Sequence, residues 1–335
     1  AECLGRARQT MASQLDCTPN ELIFTSGATE SIHLALLGAA AGLEVGRLVI
    51  SSVEHPAVEA AAQQLKLRGW SLEHWPVDCA GRIAIEHLER LLAPPTRLVS
   101  IIWGQSEVGT IQPVPALARA CRERGIRFHT DATQLIPQGV ISWQRSCIDL
   151  LSFSSHKLQG PRGAGVLLHR PGVLAEAQLG GGGQEGGFRA GTEPVPLLAG
   201  LATALVQLRR FDPDAESAPP GASPAVRPGR DALQTRLACL PGVTVLNPDL
   251  DLRLTGATDK QIQAAYEALG STGILTAGVV VPVKLAPELP AKASEHHDWE
   301  EFSKIKLSEG GDLRKYYPLR DDARAEYEEW RKTNQ

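Results

Sequence analysis

Methionine is almost missing from this chain: Met11 is the only one in 335 residues. Lysine is scarce for most of its length, with Lys66 and Lys157 alone ahead of Lys260. No tyrosine comes before Tyr266. No basic block occurs, and charges of both signs mix to a net −4, which argues against a nucleic-acid partner. No signal peptide and no membrane span are found; the apolar stretch from Ile274 to Leu285 is too short and is broken by Pro282. No internal repeat is evident. The six cysteines (Cys3, Cys17, Cys79, Cys121, Cys147 and Cys239) show no framework spacing, which suits a reducing, cytoplasmic setting. A missing N-terminus would also remove a targeting segment, so an organelle stays open.

Lys157 stands in Leu151-Ser-Phe-Ser-Ser-His-Lys157, after a short apolar run and before the Gly/Pro-rich turn Gly160-Pro-Arg-Gly163. That places it at the end of a buried strand, where open α/β sheets carry their chemistry. An amine held there beside His156 and two serines can form a Schiff base with an aldehyde cofactor. The segment alone fits a surface lysine on a loop equally well.

Three other strand ends bear on it. Phe24-Thr-Ser-Gly-Ala-Thr-Glu30 reads as a strand, a glycine turn and a helix start, a phosphate cradle to which Thr29 adds a hydroxyl. Many βα turns look like this without binding anything. Leu48-Val-Ile-Ser-Ser-Val-Glu-His55 reads as a strand ending in a histidine, whose ring could stack on a planar group or be structural. Arg127-Phe-His-Thr-Asp-Ala-Thr-Gln134 reads as a strand ending in an acid. Asp131 could pair with a protonated ring nitrogen, and Gln134 could donate to a ring oxygen. Cradle, stacking ring, carboxylate and amine together make up a pyridoxal phosphate site. Strands ending near Phe24, Ser51, Trp103, Thr130, Phe153 and Leu168, with helical patterns between them, predict an α/β fold. Its sheet is expected to be mostly parallel, with helices on both faces.

The ordered set Ser26-Gly-Ala-Thr-Glu30, Glu54-His55, Asp131-Ala-Thr-Gln134, Ser154-Ser-His-Lys157, Gly160-Pro-Arg-Gly163, Gly181-Gly-Gly-Gln-Glu185 and Arg189-Ala-Gly-Thr-Glu193 resembles the cysteine desulfurases. These have the class V aminotransferase fold, a fold type I large domain, and the likeness is to the branch serving iron–sulfur cluster assembly. It runs from about Leu4 to about Asn247. The resemblance implies that Lys157 carries pyridoxal phosphate and that His55 stacks on the ring as a candidate acid or base. It implies that Asp131 holds the ring nitrogen and Gln134 the phenolic oxygen. Ala28 through its backbone, with Thr29, Ser154 and His156, would bind the phosphate. Thr192 would reach the phosphate of a partner subunit, which implies a homodimer. A small amino acid is the implied substrate, and a sulfur acceptor or scaffold protein the implied partner.

Departures from the family pattern are equally specific. The chain opens in the helix before the phosphate strand, so a fragment or a processed chain is expected. Ser106 replaces an asparagine that approaches cofactor and substrate, and Gly186 replaces an arginine. The family's sulfur-accepting cysteine loop and the arginine that clamps the substrate carboxylate have no counterpart here. Without a thiolate, persulfide chemistry has no acceptor. Cys121 and Cys147 read as small buried residues.

Residues 1–247 are expected to form the cofactor-binding large domain. Residues 248–335 are expected to form a divergent region, because seven lysines and all four tyrosines fall from Lys260 onward. Asp259–Leu269 and Asp322–Lys332 carry helical patterns, and Ser217–Pro224 reads as a surface linker. A metal at His296-His297-Asp298 is disfavoured, since adjacent residues rarely chelate together. Three functions remain open: a cysteine desulfurase that leaves alanine, a pyridoxal phosphate lyase needing no protein thiol, and an inactive scaffold.

Overall fold

The computed structural model describes residues 2–211, together with Asp231, Gln234 and Thr235. The patterns expected after those residues, the boundary at residue 247 and Cys239 lie outside the described residues.

The seven-stranded sheet has the order β1, β8, β7, β5, β4, β2, β3. Its strands are β1 (Leu22–Thr25), β2 (Arg47–Ser51), β3 (Ser71–Trp75), β4 (Thr96–Ser100), β5 (Arg127–Asp131), β7 (Leu150–Ser154) and β8 (Gly165–His169). β3, β2, β4, β5 and β7 are mutually parallel, and β8 runs antiparallel to both β7 and β1. A short pair, β6 (Val140–Ile141) with β9 (Arg210–Phe211), lies apart. The expected mostly parallel sheet is present, and β8 makes it mixed. β3 was not foreseen, because Ser-Leu-Glu-His-Trp holds only two apolar residues on a half-exposed edge. β4 stops at Ser100, yet the chain stays beside β5 as far as Trp103: Ile101 N–H donates to His129 O at 3.1 Å and Trp103 N–H to Asp131 O at 2.9 Å.

Side chains alternate across the strands, so both faces need cover. Leu48 and Ile50 of β2 pack with Leu98 beneath α2 (Ala28–Ala40) and α3 (Pro56–Leu67), meeting Ile32, Leu36, Val58 and Leu65. Val49 and Val99 point the other way, into the larger core with Phe128 and Phe153. Helices α1 (Glu2–Leu15), α4 (Leu88–Leu92), α5 (Val114–Glu123) and α6 (Val195–Leu205) supply that core with Met11, Leu15, Leu91, Leu117, Leu198 and Leu201. Cys121 is buried in α5 as expected. Cys147 is only half-buried, since it precedes β7 at the margin of the core.

Two local devices hold the ends in place. Gly165 begins β8 so close to the turn before α2 that a β-carbon on it would stand 2.5 Å from Gly27 Cα. Glu21, buried between α1 and β1, accepts from Thr18 N–H at 2.9 Å, Trp143 Nε1–H at 2.8 Å and Arg170 at 3.3 Å. Burial alone would raise the Glu21 carboxyl, but Thr18, Trp143 and Arg170 outweigh it and hold it below the usual carboxylate range.

Two outcomes follow from these contacts. Gly165→Ala must push backbone from backbone, at a cost of about 1–3 kcal/mol in urea unfolding; an unchanged midpoint would mean the two segments can part freely. An acid held below its unfolded value gives stability that is complete above the ordinary carboxylate range and is lost as pH falls through its folded value. Glu21→Gln should therefore be less stable at neutral pH and lose less on acidification. A parallel loss in both proteins would remove Glu21 from that linkage.

Candidate active site

A cavity of about 970 Å³ opens at the carboxyl ends of the parallel strands. Ala28, Thr29, His55, Asp131, Gln134, Ser154, His156 and Lys157 all line it, so the sequence-derived residues are brought together with one exception. Thr192 is exposed and is not among the lining residues.

Each residue arrives on a defined element. Ala28 and Thr29 open α2, where the first N–H groups have no partner within the helix and favour an anion. Ser154 ends β7, and the following single turn of 3-10 helix, Ser155–Leu158, carries His156 and Lys157. Ser154 Oγ and His156 Nδ1 lie 3.0 Å apart. Lys157 is half-buried, and the turn closes with Gln159 at φ 64. Asp131 is the last residue of β5 and is 3 % exposed.

His55 is not a strand end. β2 stops at Ser51, and His55 caps α3, its Nδ1 accepting from Ala57 N–H at 3.1 Å with Pro56 next in line. The apolar run Leu48–Ile50 is followed by Ser51, Ser52 and the apolar Val53, with no breaker to mark where pairing with β3 and β4 ends, which is why sequence pattern alone overran it. Because Nδ1 accepts, a neutral ring carries its proton on Nε2.

Charge in the cavity is arranged by burial. Burial raises the Asp131 carboxyl above its usual range, while Thr133 and then His55 and Lys157 pull it back. Thr133 N–H donates to Asp131 Oδ1 at 2.9 Å; its hydroxyl acts on the same carboxyl without reaching hydrogen-bond geometry. Glu54 lies behind His55, with Oε1 accepting from Ser51 Oγ at 2.7 Å and Ile102 N–H at 2.6 Å. Its Oε2 is buried without a partner. Burial, helped by the nearby Asp131 charge, pushes Glu54 up to about 8. Glu54 is thus held toward its protonated form, while Asp131 is raised by burial and pulled back by its neighbours.

These residues suit a small planar group bearing a phosphate and a cationic ring nitrogen. The α2 amino end, Thr29 and Ser154 offer anion donors, Asp131 offers a buried carboxylate, and Lys157 offers an amine. Thr133 Oγ1, buried in the cavity wall with no partner, is a further donor waiting for an acceptor. Thr133, Ile102 and Arg162 also line the cavity and were missed as site residues, although Thr133 and Arg162 lie inside motifs read from the sequence. Ser106 and Glu107 line it too.

The class-V aminotransferase family model matches residues 2–259. The cysteine desulfurase IscS of Neisseria meningitidis serogroup A is 40 % identical over 208 residues, covering 61 % of this chain and 52 % of that protein. The human cysteine desulfurase is 40 % identical over 205 residues, covering 60 % of this chain and 45 % of its own length. The chain therefore spans about half the length of the curated relatives it matches. Among solved structures, a NifS-like protein superposes with a TM-score of 0.68 at 34 % identity, covering 76 % of this chain and 68 % of that one. With the strand-end site and these matches in agreement, the chain belongs to the class-V aminotransferases on their cysteine desulfurase branch, a family that depends on pyridoxal phosphate.

Proposed function

We propose that this chain holds pyridoxal phosphate through Lys157 and acts on L-cysteine or a closely related small amino acid, releasing sulfur and leaving alanine. One observation carries the reading: the half-buried amine of Lys157 shares a single cavity with the buried Asp131 and with the amino end of α2. When bound, the cofactor supplies an aldehyde for amine chemistry and a cationic ring that withdraws electrons. Every remaining task belongs to the protein. Ala28 N–H, Thr29, Ser154 and His156 bind the phosphate. Asp131 would pair with the ring nitrogen and favour its protonated form. Gln134 would donate to the phenolic oxygen. Lys157 would hold the aldehyde through its amine and supply Nζ as a proton carrier. His55 would stack on the ring and, when neutral, offer Nε2–H as a donor. A homodimer belongs to the same reading, in which Thr192, exposed on this chain, would reach a neighbour's site, and so does a protein or small-thiol sulfur acceptor.

A lyase reading is kept because of the thiols. Among the described residues no cysteine lines the cavity. Burial pushes Cys17 and Cys121 up to about 12, so neither supplies a thiolate.

Purified protein mixed with pyridoxal phosphate should develop a near-ultraviolet to visible absorption band that Lys157→Ala abolishes; a folded protein with no band in either form would sink the cofactor reading. The products separate the two chemistries. Desulfuration with an added thiol converts L-cysteine to alanine and sulfide, the thiol being oxidised to its disulfide. β-Elimination, with water consumed, gives pyruvate, ammonia and sulfide in equal amounts. Alanine with little pyruvate is expected, and pyruvate matching sulfide would replace the desulfurase reading by the lyase.

A further inference from the structure

The geometry points to Arg162 as the charged anchor for the phosphate of the cofactor, an inference that rests on the reading of this cavity as a pyridoxal phosphate site.

Arg162 lines the cavity together with the candidate phosphate donors. A β-carbon on Gly27, at the start of α2, would lie 3.5 Å from Ser154 Oγ, and Ser154 Oγ is 3.0 Å from His156 Nδ1. Arg162 lines the same cavity, and its charge is felt at His156. The loop that carries it is held from several sides. Gly160 N–H donates to Ser155 O at 3.0 Å, and a β-carbon on Gly160 would meet Ser155 Oγ at 2.3 Å. Pro161 presses on α6 so tightly that a β-carbon on Gly200 would lie 2.5 Å from Pro161 Cγ. Gly163 turns at φ 85, and two residues later Gly165 crosses Gly27. The backbone under Arg162 is thus fixed beside the amino end of α2, while its side chain is exposed.

The charges of the corner leave one role unfilled. A phosphate ester carries about −1.5 to −2 at neutral pH, and a helix amino end offers roughly half a positive charge. Burial, then the charges of Lys157 and Arg162, hold His156 below its usual value, so it meets the phosphate as a neutral donor. The Lys157 amine is committed to the aldehyde. Arg189 is occupied by Glu30 at 2.7 Å. Arg162 is the only guanidinium among the lining residues, and among the described residues it makes no ion pair or hydrogen bond. A planar guanidinium matches phosphate oxygens two at a time, which a lysine ammonium does not.

Absorbance titrations of wild type, Arg162→Gln and Arg162→Lys with pyridoxal phosphate and with pyridoxal, which lacks the phosphate, test this. Arg162→Gln should weaken pyridoxal phosphate about tenfold, a modest loss because the side chain is exposed, and leave pyridoxal unchanged. Arg162→Lys should recover part of the loss, and added salt should weaken wild type more steeply than Arg162→Gln. A ratio of the two affinities that Arg162→Gln leaves at the wild-type value would overturn the proposal, as would equal weakening of both compounds. It also falls if Arg162→Gln spares cofactor affinity and weakens L-cysteine alone. If wild type binds neither compound, the cofactor reading fails and this inference with it; if wild type binds and the ratio is unmoved, only Arg162 is at fault.

Discussion

The contact between Gly165 and Gly27 governs this site. β8 runs back between β1 and β7, and its first residue must cross the turn that opens α2. With 2.5 Å between a β-carbon there and Gly27 Cα, no side chain fits at Gly165. The close crossing brings the amino end of α2 against Ser154 and the turn that carries His156 and Lys157. It also fixes where the Arg162 loop emerges. An anion site assembled from two distant segments, residues 26–29 and 154–163, thus depends on a backbone contact with no chemistry of its own. Glycine's usual cost in a strand, lost backbone entropy, is set against donor alignment that no larger residue permits.

Electrostatics add a second constraint. Two buried carboxyls near each other do not both ionise readily in a medium of low dielectric. Here burial raises both: Glu54 goes up to about 8 with its Oε2 lacking a partner, and Asp131 is raised while Thr133, His55 and Lys157 pull it back. A buried acid held this way costs stability in the empty protein and recovers it only when a cation arrives. Perturbed groups of this kind gather at functional clefts, and on the proposed reading the cation would be the ring nitrogen of the cofactor.

Much of this was legible in the sequence, for physical reasons that differ by residue. Asp131 and Ser154 could be placed because short strand-like segments end at them. Lys157 drew attention because lysine is rare before Lys260. His55 lines the cavity but was placed on the wrong element, since no glycine or proline between Ser51 and His55 marks where the strand's hydrogen-bonded pairing stops. β3 escaped because an edge strand needs little apolar character. Arg162 was quoted inside a motif yet given no role, because an unpaired guanidinium is visible only once its neighbours are in place. Glu54 was the hardest to read, as its proton depends on burial that no local pattern encodes.

The cysteines sharpen what kind of chemistry the described residues can support. Cys17 and Cys121 are packing atoms with their thiols pushed up to about 12. Cys79 is exposed on a turn that touches the next loop, where Thr110 Oγ1 donates to Ala80 O at 2.6 Å, yet the cavity wall is formed by Ser106 and Glu107 of that loop. The groups proposed to hold a cofactor thus share one cavity, while no cysteine lines it among the described residues. On the proposed reading, cofactor binding and sulfur acceptance are separable parts, and the acceptor decides between the two chemistries. With a thiol delivered to the substrate sulfur, that sulfur would be carried off and alanine would remain. Without one, the same polarisation of the amino acid would favour loss of the β-substituent as sulfide.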